Sequence, residues 1–496
     1  MGTTLNSKKI CLAVDLGAGS GRVVAGIYDG TRLELVEMNR FPNDPVKKAE
    51  SWHWDFDRLF ASIKEGIAIA VKKYGDAVVS VGVDTWGVDY GLLDAQGKLL
   101  DAPFQYRDKR TQGMEEEACR RMPRREIYER TGIQFMFFNT LFQLLAEAKA
   151  PDQIKKADRL LFMPDLVHYF LAGVAANERS IASTSQVLNP CTQTWEHELI
   201  KAMDLPERIF GKLVDAGTVL GELLPAVAAE TGAKNLKIIT PAGHDTASAV
   251  VGVPAEEPEP VFLSSGTWSL MGRELGSPVI SDASYQATFS NECGVFGTTR
   301  FLKNIAGMWL LQECKRAWDA AGKKISYDEL ESQAQNSPPF VTLLDPDALD
   351  FQAPADMPAA IVAYCQKTGQ PVPATPGAFT RAIFESLALK YRKIKELLAQ
   401  VTGKPIEKIY IVGGGSKNLI LNQFAADALN CRIMAGPVEA TSIGNLVMQL
   451  FALGEVRSLA EGRALVRRSV EPKVFEPKNT SVWDEAYARF QKILSR

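Results

Sequence analysis

Twice in this chain a short apolar run breaks at a turn of glycine and other small residues and then resumes. Near the start, ICLAV (10–14) ends on Asp15, crosses the turn 16–21 and continues as 23–27; midway, 261–263 crosses SSG and continues as 267–271. Each reads as a β-hairpin. The echo at the head of each half predicts two domains built alike, and 496 residues are too many for one hydrophobic core. The acidic, proline-rich PAEEPEP (254–260) cannot be a central strand or a helix interior. It sets the expected division at 1–253 and 254–496.

In the first hairpin, Gly17, Gly19 and Gly21 let the turn present backbone N–H groups to an anion, with Arg22 beside them. An acid at the strand end, Asp15, can hold a metal ion directly or through water next to the phosphates it bridges. The alternative is a plain glycine turn. Residues 55–74 have apolar positions spaced by three and four and predict a one-face-buried helix. The strand 78–83 runs into DTWGVDYGLLD, which crowds Asp84, Trp86, Gly87 and Asp89 at its carboxyl end. Carboxylates, an indole and a glycine there suit a polyol, although a second hairpin with a core tryptophan reads equally well. YRDKRT (106–111) is a charged loop, either closing over such a site or merely solvated. Residues 124–149 and 151–171 read as mainly helical, with Phe135, Phe137 and Phe138 as core aromatics.

At the join of the halves, LKIIT (236–240) predicts a strand and 246–251 a small-residue helix, with Asp245 between them. Asp is a preferred N-cap, so Asp245 either caps the helix or faces a cleft. Residues 301–318 open with a basic and an amide residue before a helix whose Trp309 and Leu310 point to the core, with Asn304 near its start and Gln312 two turns on. Residues 338–358, rich in proline and aspartate, read as a surface excursion. A long helix from Pro376 to a Gly403 stop follows. Then strand 408–412 enters GGGS (413–416) and a helix from about Leu419, offering N–H groups to an anion or nucleotide. Strand 431–435, helix 440–453, where Ser442 and Gly444 permit close packing, and an amphipathic helix 483–494 complete the chain.

A net charge of −3 provides no electrostatic footprint for nucleic acid. The seven cysteines are scattered, with no CxxC pair, and read as buried thiols of a reducing compartment. No apolar run approaches a membrane span. The opening MGTTLNSKKI has no long apolar segment, and Asn6 stands where a myristoylation pattern wants Ser or Thr. The cytoplasm is the expected location.

Taken together, AVDLGAGSGRV (13–23), GVDTWGVDYGLLD (82–94), YRDKRT, GIQFMFFNTLFQL (132–144), GHDTASAV (243–250), LSSGTWSLMG (263–272), LKNIAGMWLLQ (302–312) and IVGGGSKNLILNQFAADA (411–428) resemble the FGGY carbohydrate kinases nearly end to end. The resemblance implies an α/β fold of two actin-like, ribonuclease H-like domains with ATP and sugar in the cleft between them. It implies transfer of phosphate from ATP to the 1-hydroxyl of L-rhamnulose, with L-fuculose, xylulose or a sugar-free actin-like ATPase role as alternatives. By matching position, Asp245 would accept the hydroxyl proton, and Gly87, His244, Thr246 and Asn304 would contact the sugar. Ala18, Gly19, Ser20, Gly21, Arg22, Thr267, Gln312 and Gly414 would bind ATP, with Mg²⁺ held through water at Asp15. Three positions depart from the pattern: Ala18 replaces a common Thr, Gly243 a Ser, and Tyr106 the Trp of a W-x-D-x-R loop, leaving Tyr106, Asp108 and Arg110 without assigned roles.

Overall fold

The computed structural model describes residues 8–150, 152–352 and 354–495. Residues 1–7, on which the reading of the N-terminus rests, and Pro151, which opens one helical stretch, lie outside that description. The chain divides into two compact units, each discontinuous in sequence. The first takes residues up to Glu259 with Glu274–Phe301 and Ala440–Val470; the second takes Pro260–Arg273, Leu302–Glu439 and residues from Glu471 onward.

In the first unit, β1 (Lys9–Leu16), β2 (Ser20–Tyr28) and β3 (Leu33–Pro42) form an antiparallel meander. On the other side of β1 lies β4 (Val78–Thr85), parallel to it, with Asp15 opposite Asp84. The sheet continues with β5 (Thr218–Glu222) as its edge and β6 (Lys237–Thr240) between β5 and β4, giving the order β5-β6-β4-β1-β2-β3. β6 runs parallel to β4 and antiparallel to β5. Strands β1 and β4 are nearly continuous apolar runs because helices cover both faces. The helix Phe56–Tyr74 buries Leu59, Ile63 and Ile67 against one face, with Asp55 accepting from the Arg58 N–H as its cap. The helix Ala440–Ala452 packs on the other, where Ile443, Leu446 and Val447 meet Cys11 and Ala13.

The second unit repeats this plan. β7 (Val261–Ser265) pairs antiparallel with β8 (Trp268–Leu275), which neighbours β9 (Thr299–Ala306). β7 also pairs parallel with β10 (Lys408–Val412), β10 parallel with β11 (Arg432–Ala435), and β11 antiparallel with β12 (Lys473–Phe475). The unit division falls inside β8, after Arg273, and inside β9, after Phe301. The helix Pro376–Thr402 begins at a Thr375 cap with proline in its first turn and stops at Gly403, whose φ of 66° suits glycine.

Three sequence expectations need correction. Residues 299–306 are a strand, so Asn304 sits in a sheet and the helix begins only at Trp309; apolar Phe301 and Leu302, both fully buried, fit a sheet as well as a helix. Within the stretch read as helical lies a strand, Arg159–Phe162, paired with Tyr90–Leu93. Residues 338–358 are not simply a surface excursion: Thr342, Leu343 and Leu344 are buried, and Asp345 and Asp347 both pair with Lys390 at 2.9 and 2.8 Å.

Candidate active site

The parallel strands of the first unit end in acids. Asp15 and Asp84 are the last residues but one of β1 and β4, and β6 is prolonged to Asp245 by a bridge between Thr85 and His244 and a 2.9 Å bond from the Thr85 N–H to the Gly243 carbonyl. Ligand sites in open α/β sheets form outside such strand ends.

These acids are not equivalent. Asp15 Oδ2 accepts from Arg22 Nη2 at 2.7 Å, Arg22 Nε at 3.1 Å and Ser442 Oγ at 3.1 Å. Arg22 is therefore turned onto Asp15. Asp84 is fully buried; Oδ2 accepts from Asn445 Nδ2 at 2.6 Å, while Oδ1 has no hydrogen-bond partner among the described residues. Burial, then the charge of Asp15, pushes its carboxyl well above the ordinary range.

Asp89, a polyol candidate in the sequence, is wholly enclosed and already saturated. Its carboxylate accepts from the indoles of Trp54 (2.6 Å) and Trp86 (2.9 Å), from the Tyr106 N–H (3.2 Å) and from Gln143 Nε2 (2.9 Å). Gln143 Oε1 in turn accepts from Arg110, which also pairs with Glu147 at 2.6 Å. Asp108 accepts from the N–H groups of Trp52 and Arg110. The loop 106–111 is thus tied down by hydrogen bonds and is not simply solvated. Beside it, Gly87 leaves its backbone partly open, and a Cβ there would lie 3.2 Å from Thr184 Oγ1.

Asp245 is the first residue of the helix Asp245–Val251, whose N-cap position is held by His244. It is thus not the cap. Oδ1 accepts from the Thr246 N–H at 2.5 Å and Thr246 Oγ1 at 3.2 Å, and lies 3.4 Å from His244 Nε2. Oδ2 accepts no hydrogen bond among the described residues, and the side chain keeps 32% of its surface open. Crowding by protein raises the carboxyl above its ordinary value; His244 works against that rise and Asp15 adds to it. A raised carboxylate with one free, accessible oxygen is suited to accept a proton.

The turn after β1 is open at Ala18, Gly19 and Ser20. Gly17 donates to the Ser20 carbonyl at 2.9 Å and Asn43 Nδ2 to the Gly17 carbonyl at 2.9 Å. Among the described residues, the N–H groups of Ala18 and Gly19 donate to no protein acceptor. That is the donor set an anion requires.

In the second unit, Thr267 lies in the hairpin turn after β7, Gln312 on the helix Trp309–Ala320 and Gly414 in the turn after β10. The Thr267 carbonyl accepts from Gly307 and Trp309 N–H groups and the Gly266 carbonyl from Met308, all within 3.2 Å, which seats the helix bearing Gln312 on the hairpin turn. Gly413 (φ 82°) and Gly415 pack on Ser265, where added Cβ atoms would lie 3.1 Å from its carbonyl oxygen and 2.0 Å from its hydroxyl. Gly414 between them is exposed. Asn304 lies on β9.

Sequence reading missed Glu178, Ser180, Glu292 and Arg300. Glu178 Oε2 accepts from the Gly243 N–H at 2.8 Å, and Ser180 Oγ from the His244 N–H at 3.3 Å, fixing the backbone that carries Asp245. No local pattern signals them: Glu178 and Ser180 lie 65 and 64 residues before their partners Gly243 and His244, and Glu292 and Arg300 lie 48 and 56 residues beyond His244.

Two sheets of one plan, each headed by a small-residue hairpin turn, define the actin-like, ribonuclease H-like α/β class. Residues 10–252 match the N-terminal domain, and residues 261–453 the C-terminal domain, of the FGGY family of carbohydrate kinases. The chain belongs to that family and is a carbohydrate kinase. It is 45% identical over 488 residues to a rhamnulokinase of Bacteroides thetaiotaomicron, covering 98% of this chain and all of that one. A rhamnulokinase of Enterococcus faecalis is 40% identical over 95% of this chain and 94% of its own. Among solved structures, a gluconate kinase from Lactobacillus acidophilus aligns over 99% of this chain and 96% of its own with a TM-score of 0.79 at 17% identity. A Plasmodium falciparum glycerol kinase with ADP aligns over 100% and 99% with a TM-score of 0.77 at 17% identity.

Proposed function

We propose that this protein transfers the γ-phosphoryl group of ATP to the 1-hydroxyl of L-rhamnulose, giving L-rhamnulose 1-phosphate and ADP, in L-rhamnose breakdown in the cytoplasm. Curated rhamnulokinases 38–45% identical over nearly the whole chain support the sugar. The observation that carries the chemistry is Asp245, whose Oδ1 is fastened by Thr246 while Oδ2 stays free.

In this reading the hydroxyl proton passes to Asp245 Oδ2 as the sugar oxygen bonds to the γ-phosphorus. The bond from that phosphorus to the β–γ bridging oxygen breaks, and ADP leaves with its electrons. Phosphoryl transfer needs positioning and charge neutralisation more than covalent work from the protein. Ala18 and Gly19 offer N–H donors to phosphate oxygens, with Ser20 and Gly21 completing the turn beside them; Arg22 holds Asp15 in place; Thr267, Gln312 and Gly414 contact the nucleotide. Gly87, His244, Thr246 and Asn304 contact the sugar.

Asp15 has one oxygen committed to Arg22 and Ser442 and the other free of hydrogen bonds among the described residues. No group of three or more His, Cys, Asp or Glu that could hold a metal occurs among them. The free oxygen of Asp15 would hold Mg²⁺ through water, as suits a cation that gives up its waters reluctantly. The ion supplies neutralisation of phosphate charge.

The test is ADP release from purified protein with L-rhamnulose, L-fuculose and xylulose. L-Rhamnulose should give the highest kcat/KM; a higher value for another ketose refutes the sugar assignment. Asp245→Asn should lower kcat about 10²- to 10⁴-fold with ATP binding retained. Turnover within tenfold of the parent would place the base elsewhere.

A further inference from the structure

Behind His244 lies a buried ion pair that the mechanism above does not use. Arg300 has no exposed surface, and Glu292 is 4% exposed. Arg300 Nη1 reaches Glu292 Oε2 at 2.9 Å, Nε donates to the Cys293 carbonyl at 3.2 Å and Nη2 to the Ser180 carbonyl at 3.4 Å. A guanidinium removed from water needs such partners. Burial by itself would raise the Glu292 carboxyl, but Arg300 and His244 outweigh it and hold it below the ordinary range. Both groups meet the imidazole at one atom: His244 Nδ1 lies 3.1 Å from Glu292 Oε2 and 3.1 Å from Arg300 Nη1. The other ring nitrogen, Nε2, lies 3.4 Å from Asp245 Oδ1.

We propose that Glu292 and Arg300 are positioning residues for the general base, holding the His244 ring so that a proton on Nε2 faces Asp245 Oδ1 and leaves Oδ2 for the sugar hydroxyl. The inference rests on the reading of Asp245 as base. Arg300 can only donate, and the ionised Glu292 can only accept. A neutral ring therefore accepts at Nδ1 from Arg300, and a charged ring donates there to Glu292. A ring that accepts from Arg300 at Nδ1, like a charged ring, carries a proton on Nε2, 3.4 Å from Asp245 Oδ1. The pair thus fixes ring orientation without fixing ring charge, and the Ser180 and Glu178 bonds fix the backbone beneath it.

Two measurements test this on the full-length protein. The chain has four histidines, so His244 is assignable in ¹⁵N-imidazole spectra by difference from His244→Gln. The wild type should show a protonated Nε2 at neutral pH; an unprotonated Nε2 overturns the proposal whatever the activity. Second, Glu292→Gln keeps the shape, removes the charge and leaves Arg300 unbalanced beside the ring. It should lower kcat about 10- to 100-fold, the order of loss seen when the partner that orients a metal-bound imidazole is removed, with KM for ATP within twofold. A kcat equal to wild type overturns the proposal, as does a loss confined to KM for ATP. Should the variant not fold, the wild-type spectrum still decides. Failure of Asp245 as base would appear separately, as turnover retained in Asp245→Asn.

Discussion

Substituting Gly444 tests how tightly the helix carrying Asp245 is held. The helices Ala440–Ala452 and Asp245–Val251 touch backbone to backbone. A Cβ on Gly444 would stand 1.7 Å from the Ser248 carbonyl oxygen, 2.6 Å from its carbon and 3.1 Å from the Gly252 nitrogen. Reciprocally, a Cβ on Gly252 would stand 2.3 Å from the Ala440 carbonyl oxygen. No rotamer change relieves a clash with main chain, so in Gly444→Ala the helices must separate by more than an ångström. Helix propensity favours alanine by about 0.5–1 kcal/mol. Against it stands overpacking, typically about 1–3 kcal/mol, together with loosened contacts among Ala247, Val251, Ile443 and Val447. The clash wins, with a net loss of about 1–2 kcal/mol and a Tm lower by several degrees. Because Asp245 begins the displaced helix, kcat should also fall, by up to about 10²-fold for a 1 Å misplacement. Differential scanning fluorimetry and ADP-release kinetics read both effects. A variant as stable as the parent with kcat within twofold would refute the close contact and the rigid support inferred for the base.

Burial pushes the Asp89 carboxyl up to about 6, against the bonds from Trp54, Gln143 and Trp86. A raised folded pKa means a contribution to stability that is fully present below the ordinary carboxylate pKa and lost as pH rises through about 6; tryptophan fluorescence, reporting Trp54 and Trp86, should show a transition near that pH that Asp89→Asn abolishes. Gly415→Ala drives a Cβ to 2.0 Å from Ser265 Oγ and 2.6 Å from its Cβ, so KM for ATP should rise severalfold with KM for the sugar unchanged. Asp15→Asn should raise the Mg²⁺ concentration needed for half-maximal turnover, read by titrating the metal at fixed ATP; an unchanged requirement would remove Asp15 from the metal site.

The two sheets were legible because their strands are apolar runs bounded by glycine turns: AVDLGAGSGRV and FLSSGTWSLM each contain strand, turn and strand within a dozen residues. Periodicity was equally informative for Phe56–Tyr74 and Pro376–Thr402, where a cap and a stop coincide with one apolar face. It failed where context chooses. Phe301 and Leu302 carry no period of their own, and the neighbouring strand β8 made theirs a strand. Leu343 and Leu344 lie among prolines and aspartates, which signal exposure, yet both are fully buried, and Lys390, 45 residues from Asp345, supplies the charge that lets those aspartates sit beside them.

The acids make the same point about function. In sequence, Asp84, Asp89 and Asp245 are alike: each lies at or just beyond the carboxyl end of a strand, beside small or aromatic residues. What separates them is the occupancy of their oxygens. Asp89 receives four N–H donors and is enclosed, so nothing remains for a ligand. Asp84 is enclosed as well, with one oxygen on Asn445. Asp245 alone of the three combines a fastened oxygen with a free, accessible one, because Thr246 follows it directly and His244 precedes it. A carboxylate becomes a base through what its neighbours leave undone, and those neighbours include Glu292 and Arg300, nearly fifty residues or more further along the chain.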